Sequence, residues 1–311
     1  RTLQTVRMLL MTSLLLGVCR SQSIETVPLI DKGSYSLVPW PSNRGDDDVV
    51  KLIMCISDTH NTWTQQVDIN SLPTVDLLVH SGDFSMSGDI HELENFAKWL
   101  HDYLNVHKKA KQAVIIAGNH DLTLHEAYYN EIGHKNKYVK HKQIPSECKQ
   151  QILDIQNCVY LQDEAVVIDG VRLFGSPWIP YIGNWAFGKQ RGAELERHWN
   201  ETLGEYLNRD GGEIDVLITH GPPYGIGDAV ITKQGVVKSV GDEALREKVQ
   251  DVHPKYHIFG HIHEGRGVYR VPEIATTFIN AVVLDEKYKA VHKPIVFELP
   301  SNTSPKQKQE F

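Results

Sequence analysis

The chain has 311 residues, a length compatible with one large α/β domain, and 41% of them are hydrophobic, enough to build a core. Its formal net charge of −7 at pH 7 argues against a nucleic-acid polymer as partner, because proteins that bind such polymers usually present a basic face. The one basic stretch, residues 134–142, is better interpreted as a solvated surface segment than as a phosphate-binding patch.

Residues 1–23 combine two early arginines, a short apolar run from Met8 to Val18 and small residues after it. These are the parts of a secretory signal peptide, and the alternative is an apolar N-terminal extension. The run is too short to cross a bilayer of about 30 Å, so we expect no transmembrane helix there. The segment favours a secreted or lumenal location, with a cytoplasmic one as the alternative.

Four cysteines do not make a disulfide framework in a chain of this length, and none has the C-x-x-C spacing of a structural zinc site. Cys148 and Cys158 lie ten residues apart and could pair only in an oxidising compartment. Their pairing stays open at this point.

Three parts of the chain differ in composition. Residues 24–47 are polar and contain three prolines, which predicts an irregular lead-in. Residues 48–300 alternate apolar runs with helical patterns, which predicts a single α/β domain with mixed sheets and outer helices. The polar residues 301–311 are predicted to form a disordered tail.

Five short runs in this domain are mostly apolar and do not alternate, as in strands covered on both faces: 52–56, 75–79, 113–117, 215–219 and 256–259. Four further strands are predicted at 166–168, 172–174, 278–283 and 295–299. Helices are predicted after Asp89, which forms a capping-box pattern with Glu92, near residues 193–207, and after Asp242.

Each of the five apolar runs is followed by polar residues of the same few types. The runs lead into Asp58-Thr-His60, Gly82-Asp83, Gly118-Asn119-His120-Asp121, His220-Gly221 and Gly260-His261-Ile262-His263. Because the carboxyl ends of strands in α/β sheets meet at one crevice, we expect these side chains to converge. A single histidine after a strand is more often structural, but five such motifs in a row are not expected by chance. Oxygen and nitrogen ligands without thiolate suit Mn²⁺, Fe or Zn²⁺.

These motifs resemble the pattern of the calcineurin-like metallophosphoesterase superfamily, which reads D-x-H, G-D, G-N-H-[DE], H-G and G-H-x-H. Further segments, among them 175–178, 219–223 and 294–300, are similar to the metallophosphoesterase-domain-containing (MPPED) family. The resemblance covers roughly residues 50–300. It implies a four-layer α-β-β-α sandwich with mixed sheets and the hydrolysis of phosphodiesters, including cyclic nucleotides.

The resemblance also implies a binuclear metal centre. It assigns the first ion to Asp58, His60, Asp83 and His263, with Asp83 bridging to a second ion that also takes Asn119, His220 and His261. It makes His120 the general acid and Asp121 the partner that orients His120. We favour Mn²⁺ as the metal, with Fe or Zn²⁺ as alternatives.

A phosphodiester repels hydroxide, so an enzyme must neutralise its charge and produce a nucleophile at neutral pH. Two divalent ions about 3.5–4 Å apart do both, and hydroxide on the metals is the expected nucleophile. The two ions outweigh two aspartates and one hydroxide, so the centre keeps a positive charge that suits a small phosphodiester or nucleotide.

Two residues are candidates for contacts with that substrate. Arg191 could donate two hydrogen bonds to a phosphate, and Trp178, in the aromatic stretch 178–187, could stack on a nucleobase. The alternatives are a surface ion pair for Arg191 and loop packing for Trp178.

Two other functions compete with the phosphodiesterase. Phosphoprotein phosphatases of this type usually continue the Gly-Asp motif with Asp-Arg-Gly, whereas this chain continues with Phe84-Ser-Met-Ser. A catalytically silent metal-binding scaffold is the other alternative, and the complete set of ligands together with His120 argues against it.

Overall fold

The computed structural model describes residues 24–39, 50–210 and 212–300. The strands in these ranges, numbered in chain order, are β1 Glu25–Thr26, β2 Ile30–Asp31, β3 Ser36–Leu37, β4 Val50–Ile56, β5 Leu77–His80, β6 Gln112–Ile116, β7 Cys158–Leu161, β8 Glu164–Ile168, β9 Val171–Ser176, β10 Ile179–Pro180, β11 Gly188–Lys189, β12 Val216–Thr219, β13 Ala229–Ile231, β14 Val237–Ser239, β15 Tyr256–Phe259, β16 Gly267–Val271, β17 Ile274–Asn280 and β18 Ile295–Pro300.

The α-helices of the same ranges are α1 Trp63–Gln66, α2 Ile90–His101, α3 Glu126–Glu131, α4 Pro145–Leu153, α5 Ala193–Trp199, α6 Glu205–Asp210 and α7 Glu243–Val252. Short 3-10 turns occur at Ile69–Ser71, Leu122–Leu124, Gly133–Lys135 and His263–Gly265, and π turns at Asp102–Val106 and Asn200–Gly204. None of the helices in the part of the chain described here is long and apolar enough to cross a membrane.

Two seven-stranded sheets hold most of the strands. The first has the order β2-β3-β18-β4-β5-β6-β7 and the second β1-β16-β17-β15-β12-β9-β8. In the first sheet β4 to β7 are parallel, and in the second β17, β15, β12 and β9 are parallel. Antiparallel strands such as β18 beside β4 and β8 beside β9 complete the sheets, which are therefore mixed, as predicted.

The continuous apolar runs are explained by the layers on both sides of each sheet. Along β4, Ile53 and Cys55 face the core between the two sheets, whereas Met54 and Ile56 face the helices. On the second sheet Leu217 packs against an outer cluster that includes Trp199 of α5. Burying one such aliphatic side chain contributes about 1.5–3 kcal/mol. The predicted four-layer α-β-β-α sandwich is confirmed.

The segment predicted to be an irregular lead-in is described over residues 24–39, where it adds edge strands to both sheets. Val27 donates its N–H to the carbonyl of Val268 (2.8 Å), and Ser36 donates to Pro294 (2.9 Å). Strands of two residues are too short to show an alternating pattern, so no pattern in the sequence indicated them. The predicted signal segment 1–23 and the predicted tail 301–311 lie outside the described residues.

The three cysteines in the described ranges are unpaired, including Cys148 and Cys158. Cys55 and Cys148 are buried in the apolar core. Burial raises the pKa of Cys148 to about 11. This thiol is therefore a packed core group.

The predicted capping box at the start of α2 is present. Asp89 Oδ1 accepts the N–H of His91 (3.0 Å), and Glu92 Oε2 accepts the N–H of Asp89 (3.4 Å). A second Asp89 oxygen accepts a hydrogen bond from Gln143 Nε2 (2.9 Å). The cap fixes the start of the helix whose Phe96 is fully buried in the outer core.

We predict that Asp89→Ala lowers the free energy of unfolding by about 1–2 kcal/mol, because it removes the N-cap acceptor. The measurement is urea unfolding beside a control, Asp251→Ala, whose 70% exposed side chain lies 3.6 Å from Lys248 Nζ. The control is expected to change stability by less than about 0.5 kcal/mol. Equal losses in the two variants would contradict the role of the cap.

Candidate active site

The loops that follow β4, β5 and β6 of the first sheet meet those that follow β12 and β15 of the second. The N–H of Asp58 donates to Gly82 O (3.0 Å), and the N–H of Gly260 donates to His220 O (2.9 Å). The two sheets are joined at the same edge, where the N–H of Val283 donates to Ser57 O (3.1 Å). This edge brings all of the predicted ligands together.

Three groups of potential metal ligands form here, and the ligand atoms within each group lie within 4.8 Å of one another. The groups are Asp58, His60 and His263; His60, Asp83 and His120; and Asp83, His220 and His261. Because the groups share members, they form one continuous cluster.

The Asp83 carboxylate lies between the two ends of this cluster. Its Oδ2 is 3.7 Å from His60 Nε2 and 3.3 Å from His220 Nε2. At one end, Asp58 Oδ1 is 3.5 Å from His263 Nε2. At the other end, Asn119 Oδ1 is 3.0 Å from His220 Nε2. The predicted amide ligand is thus in place.

Neighbouring groups orient the side chains of this cluster. The carbonyl of Ser81 accepts from His220 Nδ1 (2.9 Å), and the carbonyl of Asp285 accepts from His263 Nδ1 (2.8 Å). With Nδ1 bound to a carbonyl, Nε2 faces the cluster, which is the usual arrangement of a ligating histidine. Burial lowers the pKa of His220 and His263, but the carboxylates of Asp83 and Asp58 outweigh it and raise both pKa values to about 9, so each Nε2 must lose its proton when a metal binds. Asp58 Oδ2 accepts from Ser57 Oγ (2.6 Å) and from the N–H of His261 (2.9 Å).

The other oxygen of this carboxylate, Asp58 Oδ1, is buried and has no hydrogen-bond partner among the described residues. A buried acceptor without a donor is costly, and a cation would satisfy it. Carboxylate, imidazole and amide groups are also a suitable donor set for divalent transition metals. The residues present therefore fit a metal centre.

Two imidazoles of the cluster, those of His60 and His261, are already in the protonation state that binds a metal. Burial, together with the charge of His120, lowers the pKa of His60 to about 3. Burial and the charge of His220 lower the pKa of His261 to about 3. Both imidazoles are therefore neutral at pH 7, the form that binds a metal. Burial raises the pKa of Asp83, but the charges of His220 and His120 outweigh it and hold this pKa well below its usual range.

Four of the predicted ligands have left-handed backbone conformations. The φ angles are 54° at Asp58, 41° at His60, 56° at Asp83 and 68° at His261. Such conformations are rare outside glycine and cluster at functional sites, where the surrounding structure imposes them. Asp58 and His60 lie two residues apart, as do His261 and His263. In an extended strand, alternation would point the two side chains of such a pair to the same side. Here they converge because the backbone turns sharply.

Two glycines make room for these turns. A Cβ atom on Gly118 would overlap Asp83, and one on Gly260 would overlap Ser57 and Asp58. Neither glycine has a positive φ, so here glycine is needed for close approach of the chain.

Asp121 does not orient His120, which corrects the predicted role. Its Oδ2 accepts the N–H groups of Gly118 (2.8 Å) and Asp83 (3.0 Å), and its Oδ1 accepts from the N–H (2.9 Å) and Oγ (2.6 Å) of Ser85. Burial and the charge of Asp83 raise the pKa of Asp121 to about 7. This carboxyl group therefore ties the loop after β5 to the loop after β6.

His120 is oriented by other groups. Its Nδ1 is 2.8 Å from the carbonyl of Met86, and its ring stacks on Trp185 with a centroid distance of 3.9 Å. Its backbone N–H donates to Asp83 Oδ1 (2.7 Å). The imidazole therefore has a defined position at the wall of the cavity.

Trp178 and Arg191, the two candidate substrate contacts, do not line the cavity. Trp178 packs within a loop and Arg191 forms an ion pair, which are the alternatives given for them above. Trp178 donates its Nε1–H to Asp163 Oδ2 (2.8 Å) and packs against other loop residues. Arg191 pairs with Glu243 and donates to the carbonyls of Gly241 and Val240. Their polar groups are engaged within the protein.

The cavity above the cluster has a volume of about 300 Å³. Besides the cluster itself, its lining residues are Ile182, Trp185, Glu264, Glu286 and Tyr288. Trp185 belongs to the aromatic stretch 178–187, in which the sequence predicted a substrate contact. Glu264 directly follows the last motif, but Glu286 and Tyr288 lie in a loop without a motif, so nothing in the sequence indicated them.

Comparison with known proteins agrees with this site. The family described as calcineurin-like phosphoesterase matches residues 51–265. Metallophosphoesterase domain-containing protein 1 of Homo sapiens is 38% identical over 253 residues, which cover 80% of this chain and 71% of that protein. The UPF0046 protein T07D4.2 of Caenorhabditis elegans is 34% identical over 271 residues, which cover 82% of this chain and 61% of that protein.

A solved crystal structure that is 14% identical covers 75% of this chain and 90% of its own, with a TM-score of 0.50, which supports the fold alone. The family match extends over most of the chain and includes all five motifs. The chain therefore belongs to the calcineurin-like phosphoesterase family and is a metal-dependent phosphoester hydrolase.

Proposed function

We propose that this enzyme hydrolyses small phosphodiesters, with cyclic nucleotides among the candidates, and that it uses two divalent ions, of which Mn²⁺ is favoured and Fe or Zn²⁺ are alternatives. The observation that carries the proposal is the position of Asp83. Its carboxylate is close to His60 on one side and to His220 on the other. A carboxylate between two groups of ligands is suited to bridge two ions.

In this proposal Asp58, His60 and His263 would hold one ion, Asn119, His220 and His261 would hold the other, and the carboxylate of Asp83 would be shared between them. Divalent ions held there would supply charge neutralisation of the phosphoryl oxygens and a water molecule of lowered pKa as the nucleophile. The amide of Asn119 would bind without adding a negative charge that weakens this effect.

His120 is proposed to act on the leaving group. Since Nδ1 donates to the carbonyl of Met86, Nε2 is the nitrogen that can take up and release a proton. An imidazolium at this wall can protonate the departing oxygen. The stacked Trp185 ring restricts the imidazole and so keeps that nitrogen in place.

The phosphoprotein phosphatase remains the alternative, and the lining of the cavity argues against it. None of the described residues that line the cavity is Lys or Arg. A phosphomonoester carries up to two negative charges and is commonly bound by guanidinium groups, whereas a diester carries one. A centre without such groups is better suited to the diester.

We predict that Asp83→Ala loses metal at both positions and nearly all activity. Elemental analysis of the purified protein tests this beside Asp163→Ala, which removes a carboxylate that binds Ser176 and Trp178 outside the cavity. The control is expected to keep two ions per chain. Two ions per chain in Asp83→Ala would show that this residue does not bridge.

We predict that diesters are cleaved faster than phosphopeptides at the same metal loading. The measurement compares kcat/KM for bis(4-nitrophenyl) phosphate and cyclic nucleotides with values for several phosphopeptides. A preference for phosphopeptides across different sequences would favour the phosphatase.

We predict that His120→Ala keeps both ions and loses activity unequally on two substrates. General acid catalysis contributes about 10²–10⁴-fold, and a basic leaving group needs it most. A nitrophenolate, stable as an anion, is expected to leave almost as fast as before, whereas a ribose alkoxide is expected to leave far more slowly. Equal losses with both ions retained would mean that His120 positions the phosphate, and loss of an ion would make it a ligand.

A further inference from the structure

The mouth of the cavity is acidic. Glu264 and Glu286 line it and are both exposed, and no described lining residue is Lys or Arg. Lys287 Nζ lies 3.9 Å from Glu286 Oε1, but that lysine side chain is 71% exposed, so the pair is screened by solvent. Lys137 Nζ lies 4.8 Å from the centroid of Tyr138, and neither residue lines the cavity.

The same mouth is aromatic. The ring of Tyr288 lies 4.9 Å from that of His60 and 5.2 Å from that of His263. Trp185 lines the cavity beside His120. Aromatic rings next to carboxylates attract organic cations, through the negative face of the ring and through charge.

Tyr288 is held in place by a tight turn. The side chain of Asp285 accepts the N–H groups of Lys287 and Lys289 (2.9 Å each), and its carbonyl accepts the N–H of Tyr288 (2.9 Å). That carbonyl also accepts from His263 Nδ1. The turn thus fixes the tyrosine relative to a proposed metal ligand. Tyr288 itself has a left-handed backbone, with φ of 59°, which makes the arrangement a built feature of the site.

We propose that the substrate is a zwitterionic phosphodiester, in which an amino-alcohol substituent of the choline or ethanolamine type places its ammonium group between Tyr288 and the carboxylates of Glu264 and Glu286. This inference rests on the proposed function. The inner end of the cavity, with two ions bound, is positive and takes the phosphate. The outer end is negative and takes the ammonium group, so the cavity matches both charges of the substrate.

The reaction needs only water as co-reactant. A water oxygen bonds to phosphorus, the bond from phosphorus to one ester oxygen breaks, and that oxygen takes up a proton. The products are an alcohol and a phosphomonoester. A substrate with a second phosphate outside the metal centre would meet the two carboxylates and be repelled.

A nucleobase is the competing occupant, because it could stack on the same rings. The two occupants differ in charge, which an isosteric pair of esters can separate. 4-Nitrophenyl phosphorylcholine has a positively charged trimethylammonium group. 4-Nitrophenyl 3,3-dimethylbutyl phosphate has an uncharged tert-butyl group of the same shape in its place.

The test measures kcat/KM for both esters with Mn²⁺-loaded protein. It also measures the Kd of phosphocholine and of 3,3-dimethylbutyl phosphate by calorimetry. We expect the charged ligand to be preferred by about tenfold or more in both measurements. In the double variant Glu264→Gln/Glu286→Gln the ratio is expected to fall severalfold, and the Tyr288 ring retains the rest of the preference. The control Glu247→Gln, an exposed glutamate of α7 outside the cavity, is expected to keep the wild-type ratio.

Tyr288 provides a second comparison. Tyr288→Phe retains the ring and is expected to keep the preference, whereas Tyr288→Leu is expected to lower it. A ratio of charged to uncharged ligand near one in the wild type, or a ratio unchanged in the double variant, would overturn the inference. Hydrolysis of either ester would still leave the proposed function intact. If a cyclic nucleotide then has the higher kcat/KM, the mouth binds a nucleobase. If neither ester is cleaved but phosphocholine keeps its tighter binding, the cation site stands and the proposed diesterase function fails.

Discussion

The site depends on a reciprocal pair of hydrogen bonds between the loops after β5 and β6. The side chain of Asp121 accepts the backbone N–H of Asp83, and the side chain of Asp83 accepts the backbone N–H of His120. Both carboxyl groups are buried, where losing such a bond costs more than at the surface. This pair fixes where the carboxylate of Asp83 points, and with it the distance between the two halves of the ligand cluster.

The surrounding sandwich supplies what this arrangement requires. Parallel strands deliver the loops to one edge, and apolar layers on both sides of each sheet keep that edge rigid. Rigidity is needed because several ligands have left-handed backbones that an isolated loop would not retain. Close contacts at Gly118 and Gly260 leave no space for a side chain. The strain at the site is therefore balanced by packing elsewhere in the domain.

The sequence was sufficient for features that depend on local pattern. The five buried strands, the capping box at Asp89 and the convergence of the motifs follow from periodicity and from the geometry of parallel sheets. The sequence was insufficient where the partner of a side chain lies in a distant part of the chain. Asp121 is adjacent to His120 in the chain but binds Ser85 of another loop. Tyr288 reaches the cavity from a loop that has no motif, so only the tertiary structure could place it there.

Anomalous diffraction from crystals loaded with Mn²⁺ can determine whether one carboxylate joins two metal positions. We expect two anomalous peaks about 3.5–4 Å apart, with Asp83 in contact with both. The first peak should contact Asp58, His60 and His263, and the second should contact Asn119, His220 and His261. A single fully occupied peak at saturating metal, or two peaks that Asp83 does not connect, would contradict this expectation.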